Sequence, residues 1–554
     1  MKKTAKTPWQ HYARLLRPEA PDLRTIVVYG AGSAVLTLGV PLTVDALISN
    51  ITFGTLLTPL VVLVSVLLGC LLLQGLLHAL QAWIAEVIER RIFVRVVGDL
   101  AWRLPRVDIR AFDRAHGPEL VNRFFDTVTV QKSSSKLFLE VTNIALTTSV
   151  GMTVLAFYHP FLLVFVLALL AAITALVFGF GVGGVRTAVD ESAAKYEVAK
   201  WLQELARHTT AFCTKGGADF AQRRAEQLAG DYVLARRRHF RVLFRQVCSA
   251  LGLQVLASTA VLAIGGWLVI DQQLTPGQLV ASELIVTAVV ANITKLGGVL
   301  ESWYDVCAAS GKLGQLIDLP LERQTGTEPQ LTGSGVELEL REVRCATEGG
   351  HDVGDLSLKV APGERVALTG PAGGEASLLL DVLYGLRQPA SGHVTVDGLD
   401  LRQLRLDRTR DEFALVHGTE IVEGTLLDNL AFGREDVSAT EVRDALRDVG
   451  LWDEALALPD GLQTRLATGG QPLTPSQASQ LMLARAILRE PRLLLLDGAL
   501  DKLTPTLRRR VVAHLFDERH GWTMLVATNH PDVIEACDRA FGCGAAAHAP
   551  EVQA

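Results

Sequence analysis

Roughly the first 300 positions of the chain hold several long stretches without a charged residue, and a helix needs about 20 apolar residues to cross a bilayer core. Thr25 to Val44 forms a first span and Leu60 to Ala82 a second. Val141 to Val185 has no Asp, Glu, Lys or Arg and is too long for one helix. Tyr158-His159-Pro160 lies inside it, and proline breaks the helical hydrogen-bond ladder, so the pattern predicts two helices joined by a tight turn. Leu251 to Ile270 is a fifth span; Asp271 to Gly277 is a turn; Gln278 to Leu300 is a sixth. Beyond residue 330 the pattern changes. Val336 to Leu340 alternates as a half-buried strand does. Arg365 to Thr369 is a second strand, and it leads directly into the glycine-rich stretch Gly370-Pro371-Ala372-Gly373-Gly374. A glycine-rich turn between strand and helix presents backbone N–H groups to phosphate.

Basic residues orient the spans, because Lys and Arg concentrate on the cytoplasmic side. Arg90, Arg91, Arg95, Arg103, Arg106 and Arg110 follow the second span. Arg186, Lys195, Lys200, Arg207, Lys215 and Arg236-Arg237-Arg238 lie between the fourth and the fifth. The connections after spans one, three and five have neither. Both termini and the two long, helix-compatible basic segments are therefore expected in the cytoplasm. The basic start Met1-Lys2-Lys3 is not followed by a short apolar core and a small-residue cleavage site, so no cleaved signal peptide is expected.

Composition adds exclusions. A net charge of −6 over 554 residues does not suggest a nucleic-acid partner. The mean hydropathy of +0.28 is high for a soluble chain. The 7 cysteines include no CxxC pair, so neither a disulfide framework nor a zinc site is indicated.

Long helices running from the membrane into the cytoplasm resemble the exporter branch of the ABC transporter superfamily. The stretch from Leu104 to Asp113, followed by Gly117-Pro118-Glu119-Leu120-Val121-Asn122-Arg123-Phe124, is similar to that family's first cytoplasmic loop, where a short coupling helix forms. Asp381-Val382-Leu383-Tyr384-Gly385-Leu386, Gly392 to Gly398, Glu423 to Leu430 and Leu483 to Leu488 match closely as well. The resemblance implies a six-helix transmembrane domain followed by an α/β P-loop NTPase-like nucleotide-binding domain. The expected division is 1–24 N-terminal segment, 25–310 transmembrane domain, 311–335 linker, 336–546 nucleotide-binding domain and 547–554 tail. It further implies a half-transporter that pairs with a second one, either another copy or a different chain with intact ABC motifs. Membrane lipid surrounds it, and the expected location is the bacterial inner membrane. The substrate is not readable.

Against the family pattern Gly-Pro-x-Gly-x-Gly-Lys-Ser-Thr, the chain keeps Gly370, Pro371, Gly373 and Ser377. Glu375 stands for the third Gly, Ala376 for the Lys and Leu378 for the Thr. The resemblance gives that Lys the task of neutralising the β- and γ-phosphates. Two unit charges 4 Å apart interact by about 1 kcal/mol in water and about 4 kcal/mol at an effective dielectric of 20. A lost attraction and a gained repulsion therefore weaken binding by orders of magnitude. No aromatic stands near Cys345 to Thr347, where one stacks on adenine. The glutamine loop falls at Val416-His417-Gly418-Thr419 without a Gln. The signature Leu-Ser-Gly-Gly-Gln reads Leu473-Thr474-Pro475-Ser476-Gln477. Leu493 to Asp497 is a strand ending in the acid that supports Mg²⁺, but Gly498 replaces the catalytic Glu that orients the attacking water. A further Asp aligns with Thr504, and the switch histidine aligns with Asn529, with His530 one place late. The resemblance thus leaves Ser377 and Asp497 as remnants for Mg²⁺, with binding of ATP and Mg²⁺ expected to be weak or absent.

Three readings remain at this point. One is a transport subunit powered by another chain. The second is a non-hydrolysing scaffold, regulator or passive conduit. The third is a conventional homodimeric exporter with unusual chemistry. Glu283 and Lys295 stand inside the sixth span as charged candidates; twelve residues of helix separate them by about 18 Å, so they are not expected to pair.

Overall fold

The computed structural model describes residues 7–53, 57–113, 117–179, 182–329, 333–346, 352–370 and 374–543. The chain divides into two compact units: Met1–Arg106 with Ala115–Leu319, and Val107–Arg114 with Pro320–Ala554.

The first unit is helical: α1 (Pro8–Leu16), α2 (Ala20–Thr37), α3 (Gly39–Phe53), α4 (Leu57–Arg103), α5 (Gly117–Val121), α6 (Asp126–Tyr158), α7 (Pro160–Gly179), α8 (Gly184–Arg207), α9 (Thr209–Phe212), α10 (Lys215–Ile270) and α11 (Pro276–Ile317). Among the described residues five helical stretches are long and apolar enough to cross a membrane: Pro8–Asn50, Thr58–Arg106, Glu119–Tyr158, Lys215–Ile270 and Pro276–Ile317; Pro160–Leu176 is a shorter apolar helix. The expected break at Tyr158-His159-Pro160 is present, with His159 in an extended conformation, as the residue before a proline prefers. The first apolar run differs from the single helix expected. It is interrupted at Leu38, because Pro41 cannot donate to Thr37 and its ring crowds that carbonyl. The start of α11 is fixed by a capping box, in which the Thr275 hydroxyl accepts from the Gln278 N–H at 3.1 Å.

Lipid tails are as apolar as leucine, so helices in a bilayer associate through close packing and interhelical hydrogen bonds. Both are visible. Met152, Leu155, Leu162, Val166, Val261, Leu268 and Val286 interlock in one buried cluster. A polar ladder joins α2 to α4: Ser33 Oγ lies 3.0 Å from His78 Nε2, Gln74 donates to Thr37 Oγ1 at 2.9 Å, and buried Gln81 donates to the Ile26 carbonyl at 2.9 Å. Val61, Leu68 and Leu72 on α4 remain exposed, a face suited to lipid. Glu283 and Lys295 both lie on α11. Lys295 is exposed, the Glu283 Oε2 is buried without a hydrogen bond, and among the described residues no ion pair joins them.

The second unit is α/β. A four-stranded sheet, order β2-β1-β4-β5, contains β1 (Leu338–Ala346), β2 (Asp352–Val360), β4 (Ser391–Val396) and β5 (Leu399–Asp400). A five-stranded sheet, order β11-β3-β10-β9-β6, contains β3 (Arg365–Thr369), β6 (Phe413–His417), β9 (Leu493–Asp497), β10 (Thr523–Ala527) and β11 (Arg539–Gly542). All its pairings are parallel. Such strands are covered on both faces and read as continuous apolar runs, which is why Leu493 to Leu496 are fully buried. A small ribbon pairs β7 (Gly424–Thr425) with β8 (Arg465–Leu466). The helices are α12 (Glu375–Leu383), α13 (Leu406–Asp411), α14 (Leu426–Ala431), α15 (Ala439–Asp448), α16 (Trp452–Leu456), α17 (Pro475–Ile487), α18 (Pro505–Leu515) and α19 (Pro531–Ile534).

Residues 107–113 pack as part of this second unit. Val107 bridges to Leu321, and the Asp108 N–H donates to the Pro320 carbonyl at 2.9 Å. Ile109–Phe112 forms a 3-10 turn capped by Asp108. The Arg387 guanidinium donates two 2.8 Å bonds to Asp113 and one of 3.1 Å to Asp381.

Candidate functional site

Ligands of open parallel sheets bind beyond the carboxyl ends of the strands. Here those ends carry Thr369 on β3, His417 on β6, Asp497 on β9 and Ala527 on β10. His417 and Asp497 are register partners on neighbouring strands, so their side chains emerge side by side. The His417 Nδ1 lies 2.6 Å from Asp497 Oδ2, and the Ser377 hydroxyl on α12 donates to Asp497 Oδ1 at 2.8 Å. Both carboxylate oxygens are thus engaged by side chains of the same unit. Burial pushes the Asp497 carboxyl up, but the hydrogen bonds from His417 and Ser377 outweigh it and hold it below the ordinary carboxylate range. The bond to Asp497 in turn raises the His417 imidazole above its ordinary value. Lys502 adds a favourable charge near Asp497.

Of the remaining turn residues, Pro371 and Gly373 lie outside the described residues. Gly370 directly follows β3, and Gly374 precedes α12. Glu375 folds back: its Oε2 lies 3.4 Å from where a side chain on Gly370 would begin, and it is buried without a hydrogen bond among the described residues. Burial, with the Glu375 charge adding to it, pushes the neighbouring Cys543 thiol up to about 12. Ala376 and Leu378 pack into the core beneath.

Gly498, directly after Asp497, has φ +60° with open space around its α-carbon, and its N–H donates to the Ala527 carbonyl. Left-handed backbone costs an L-residue roughly 1–2 kcal/mol, so a side chain here is opposed by backbone rather than by crowding. Gly418 turns the chain after His417 with φ +66°. Asn529 is exposed. His530 donates its N–H to Thr528 Oγ1, whose hydroxyl donates to Asp501 at 2.6 Å, and the His530 Nε2 stands 4.0 Å from the same Asp501.

Leu473-Thr474-Pro475-Ser476-Gln477 forms the start of α17. Thr474 is its N-cap: its hydroxyl accepts from the Gln477 N–H at 3.3 Å, and its own N–H donates to Gln477 Oε1 at 2.8 Å. Gln477 Nε2 donates to Glu454 at 2.6 Å. Helix N-termini hold anions through free N–H groups. Pro475 has none, and that of Gln477 is taken by the cap. The sequence pattern Thr-x-x-Gln is a capping-box signature, so this feature was readable beforehand. The partnership of His417 with Asp497 was not, because it depends on β6 and β9 being neighbours. Asp381, Arg387 and Asp501 were also missed.

An ABC transporter domain in general binds ATP and Mg²⁺, and these side chains do not fit that pair. Ala376 supplies no cation, Glu375 adds an anion, and Ser377 and His417 already engage the two Asp497 oxygens.

A helical membrane unit joined to a unit with this parallel sheet and strand–turn–helix site is the architecture of an exporter-type half-transporter. The chain belongs to the ABC transporter family: the model of the ABC transporter transmembrane region matches residues 25–293, and that of the ABC transporter domain matches 353–501. It is similar to the ATP-dependent lipid A-core flippase of Paraburkholderia xenovorans (strain LB400), 31% identical over 295 residues covering 52% of this chain and 49% of that protein. The flippase of the same name in Neisseria gonorrhoeae (strain ATCC 700825 / FA 1090) is 27% identical over 51% of this chain and 46% of its own length. YwjA, an uncharacterised ABC transporter ATP-binding protein of Bacillus subtilis (strain 168), is 27% identical over 50% of this chain and 49% of its own length. The chain spans about half the length of the curated relatives it matches. A bacterial Atm1-family ABC exporter solved with ATP bound shares the fold, with a TM-score of 0.80, 19% identity and coverage of 96% of this chain and 94% of that one.

Proposed function

We infer that this chain is one half of a dimeric exporter in the bacterial inner membrane, with six spans, cytoplasmic termini and little or no ATPase activity of its own. The observation that carries this reading is the engagement of both Asp497 oxygens by Ser377 and His417, beside a turn in which Ala376 and Glu375 replace the phosphate-binding residues. Phosphoryl transfer relies on positioned positive charge and an oriented nucleophile. Losing one such group costs about 10² to 10³ in rate, and such losses need not multiply. Transport power then comes from a partner chain. An amphipathic lipid is the first substrate class to test, given the name carried by several relatives and the apolar cavity of about 180 Å³ lined by Ala34, Leu38, Pro41, Gly151, Ile285 and Val289.

A second reading, a non-hydrolysing scaffold or regulator, is favoured by the internal cap on α17. With both the phosphate turn and this helix start altered, an intact partner would still form two imperfect composite sites.

The deciding experiment is phosphate release by the purified, reconstituted chain. A trace rate unchanged by Asp497→Ala is expected. Ordinary exporter turnover that Asp497→Ala abolishes would overturn the reading.

A further inference from the structure

We propose that His417 stands in for the divalent cation at Asp497, so that the site is latched by a side chain and its ligand affinity is independent of Mg²⁺. The inference rests on the reading of this unit as an ABC transporter domain with an altered nucleotide site, and it adds the regulation of that site.

Geometry supports it first. His417 and Asp497 end adjacent parallel strands in register, so no loop movement is needed to bring them together, and strand pairing fixes the spacing of their α-carbons. The 2.6 Å approach of Nδ1 to Oδ2 takes the carboxylate oxygen that Ser377 leaves free. A serine hydroxyl can donate to a carboxylate and still offer a lone pair to a metal, so the Ser377 bond alone does not exclude one. The imidazole does. Magnesium needs near-octahedral oxygen ligands and keeps several of its waters, and those waters require carboxylate acceptors. An Nδ1–H donor directed at Oδ2 takes one of that oxygen's acceptor sites and fills the space beside it with the ring, so it competes there with a metal-bound water, and both the neutral Nδ1–H form and the protonated form of the ring donate in this way.

The surroundings support it second. The acids that face His417 are Asp497, Asp381 and Glu420. Asp381 lies one helical turn beyond Ser377 on α12 and is itself held by Arg387. Asp381 therefore has a fixed cation of the chain as its partner. Glutamine at 417 removes the obligatory ring donor, since its amide can turn either its oxygen or its NH2 toward Oδ2, and it does not disturb the sheet, because the His417 side chain projects beyond the strand end and is half exposed.

The test uses the full chain in nanodiscs, with Glu375→Gly and Ala376→Lys introduced together to return a grip on phosphate. ATP affinity is measured in Mg²⁺ and in EDTA, with and without His417→Gln added. With His417 in place the two affinities should agree within about twofold. Adding His417→Gln should make ATP bind at least about tenfold tighter in Mg²⁺ than in EDTA. A tenfold Mg²⁺ preference with His417 present, or none after His417→Gln in a chain that melts normally, overturns the latch. If the double variant binds no ATP, the natural chain decides. Mn²⁺ added without nucleotide, which would itself chelate the ion, should keep the electron-spin signal of the free ion; a protein-bound Mn²⁺ signal lost in Asp497→Asn sinks the proposal. Phosphate release by the natural chain tests the underlying reading separately, since Ala376 and Gly498 keep turnover low whether or not the latch exists.

Discussion

Replacing Arg387 by alanine removes a side chain that helps tie residues 107–113 to the rest of the second unit. Its guanidinium bridges Asp113 bidentately and Asp381 singly, with side chains 16%, 20% and 17% exposed respectively. Exposed pairs contribute about 0.2–1 kcal/mol, and breaking a fully buried pair costs about 3–5 kcal/mol. This bridge is intermediate, so a loss of about 2 kcal/mol is expected. At about 2–4 °C per kcal/mol for a unit of this size, the second-unit transition should fall by about 4–8 °C in a tryptophan-fluorescence melt at matched scan rate. Arg387→Lys should recover only part of this, since an ammonium cannot hold a carboxylate bidentately. The pH dependence has a defined sign. The hydrogen bond from Arg387 holds the Asp113 carboxyl below its ordinary value, so the contribution is complete above the unfolded value near pH 4. It is lost as pH falls through the lower folded value, and the gap between natural and variant chains should narrow below about pH 4. A variant that melts within about 1 °C of the natural chain at neutral pH would refute the reasoning.

Further outcomes follow from individual positions. Gly498→Ala should cost about 1–2 kcal/mol, read as a lower melting temperature, because the φ of +60° and not crowding opposes the side chain; an unchanged melt would contradict it. Thr474→Ala removes the α17 cap and should cost about 1 kcal/mol, while Thr474→Ser should be close to neutral. Reporter fusions at Asn50, His159 and Gln272 should all report the outer side, and a cytoplasmic signal at any of them breaks the six-span arrangement.

Much of the architecture was legible in the chain because it is written in local chemistry. Uncharged runs mark the long helices of the first unit, and the run of four leucines ending at Asp497 marks a strand buried on both faces. Pro160 was read correctly as a break, whereas Pro41 acts by the same rule inside a run that looked continuous for lack of charge. The altered positions of the nucleotide site were visible one by one. What they do to each other was not. His417 meets Asp497 only because β6 and β9, 80 residues apart, lie side by side in the order β10-β9-β6. Arg387 finds Asp113 across 274 residues, a distance at which no local pattern speaks.

The most direct test of the central claim is equilibrium binding of radiolabelled ATP to the natural chain in Mg²⁺. Losing the lysine cation and gaining the Glu375 anion each shift binding by about 1–4 kcal/mol, or roughly one to three powers of ten apiece. The expected result is no saturable binding below about 1 mM and no change with Asp497→Ala. Saturable micromolar binding that needs Mg²⁺ and disappears with Asp497→Ala would contradict it.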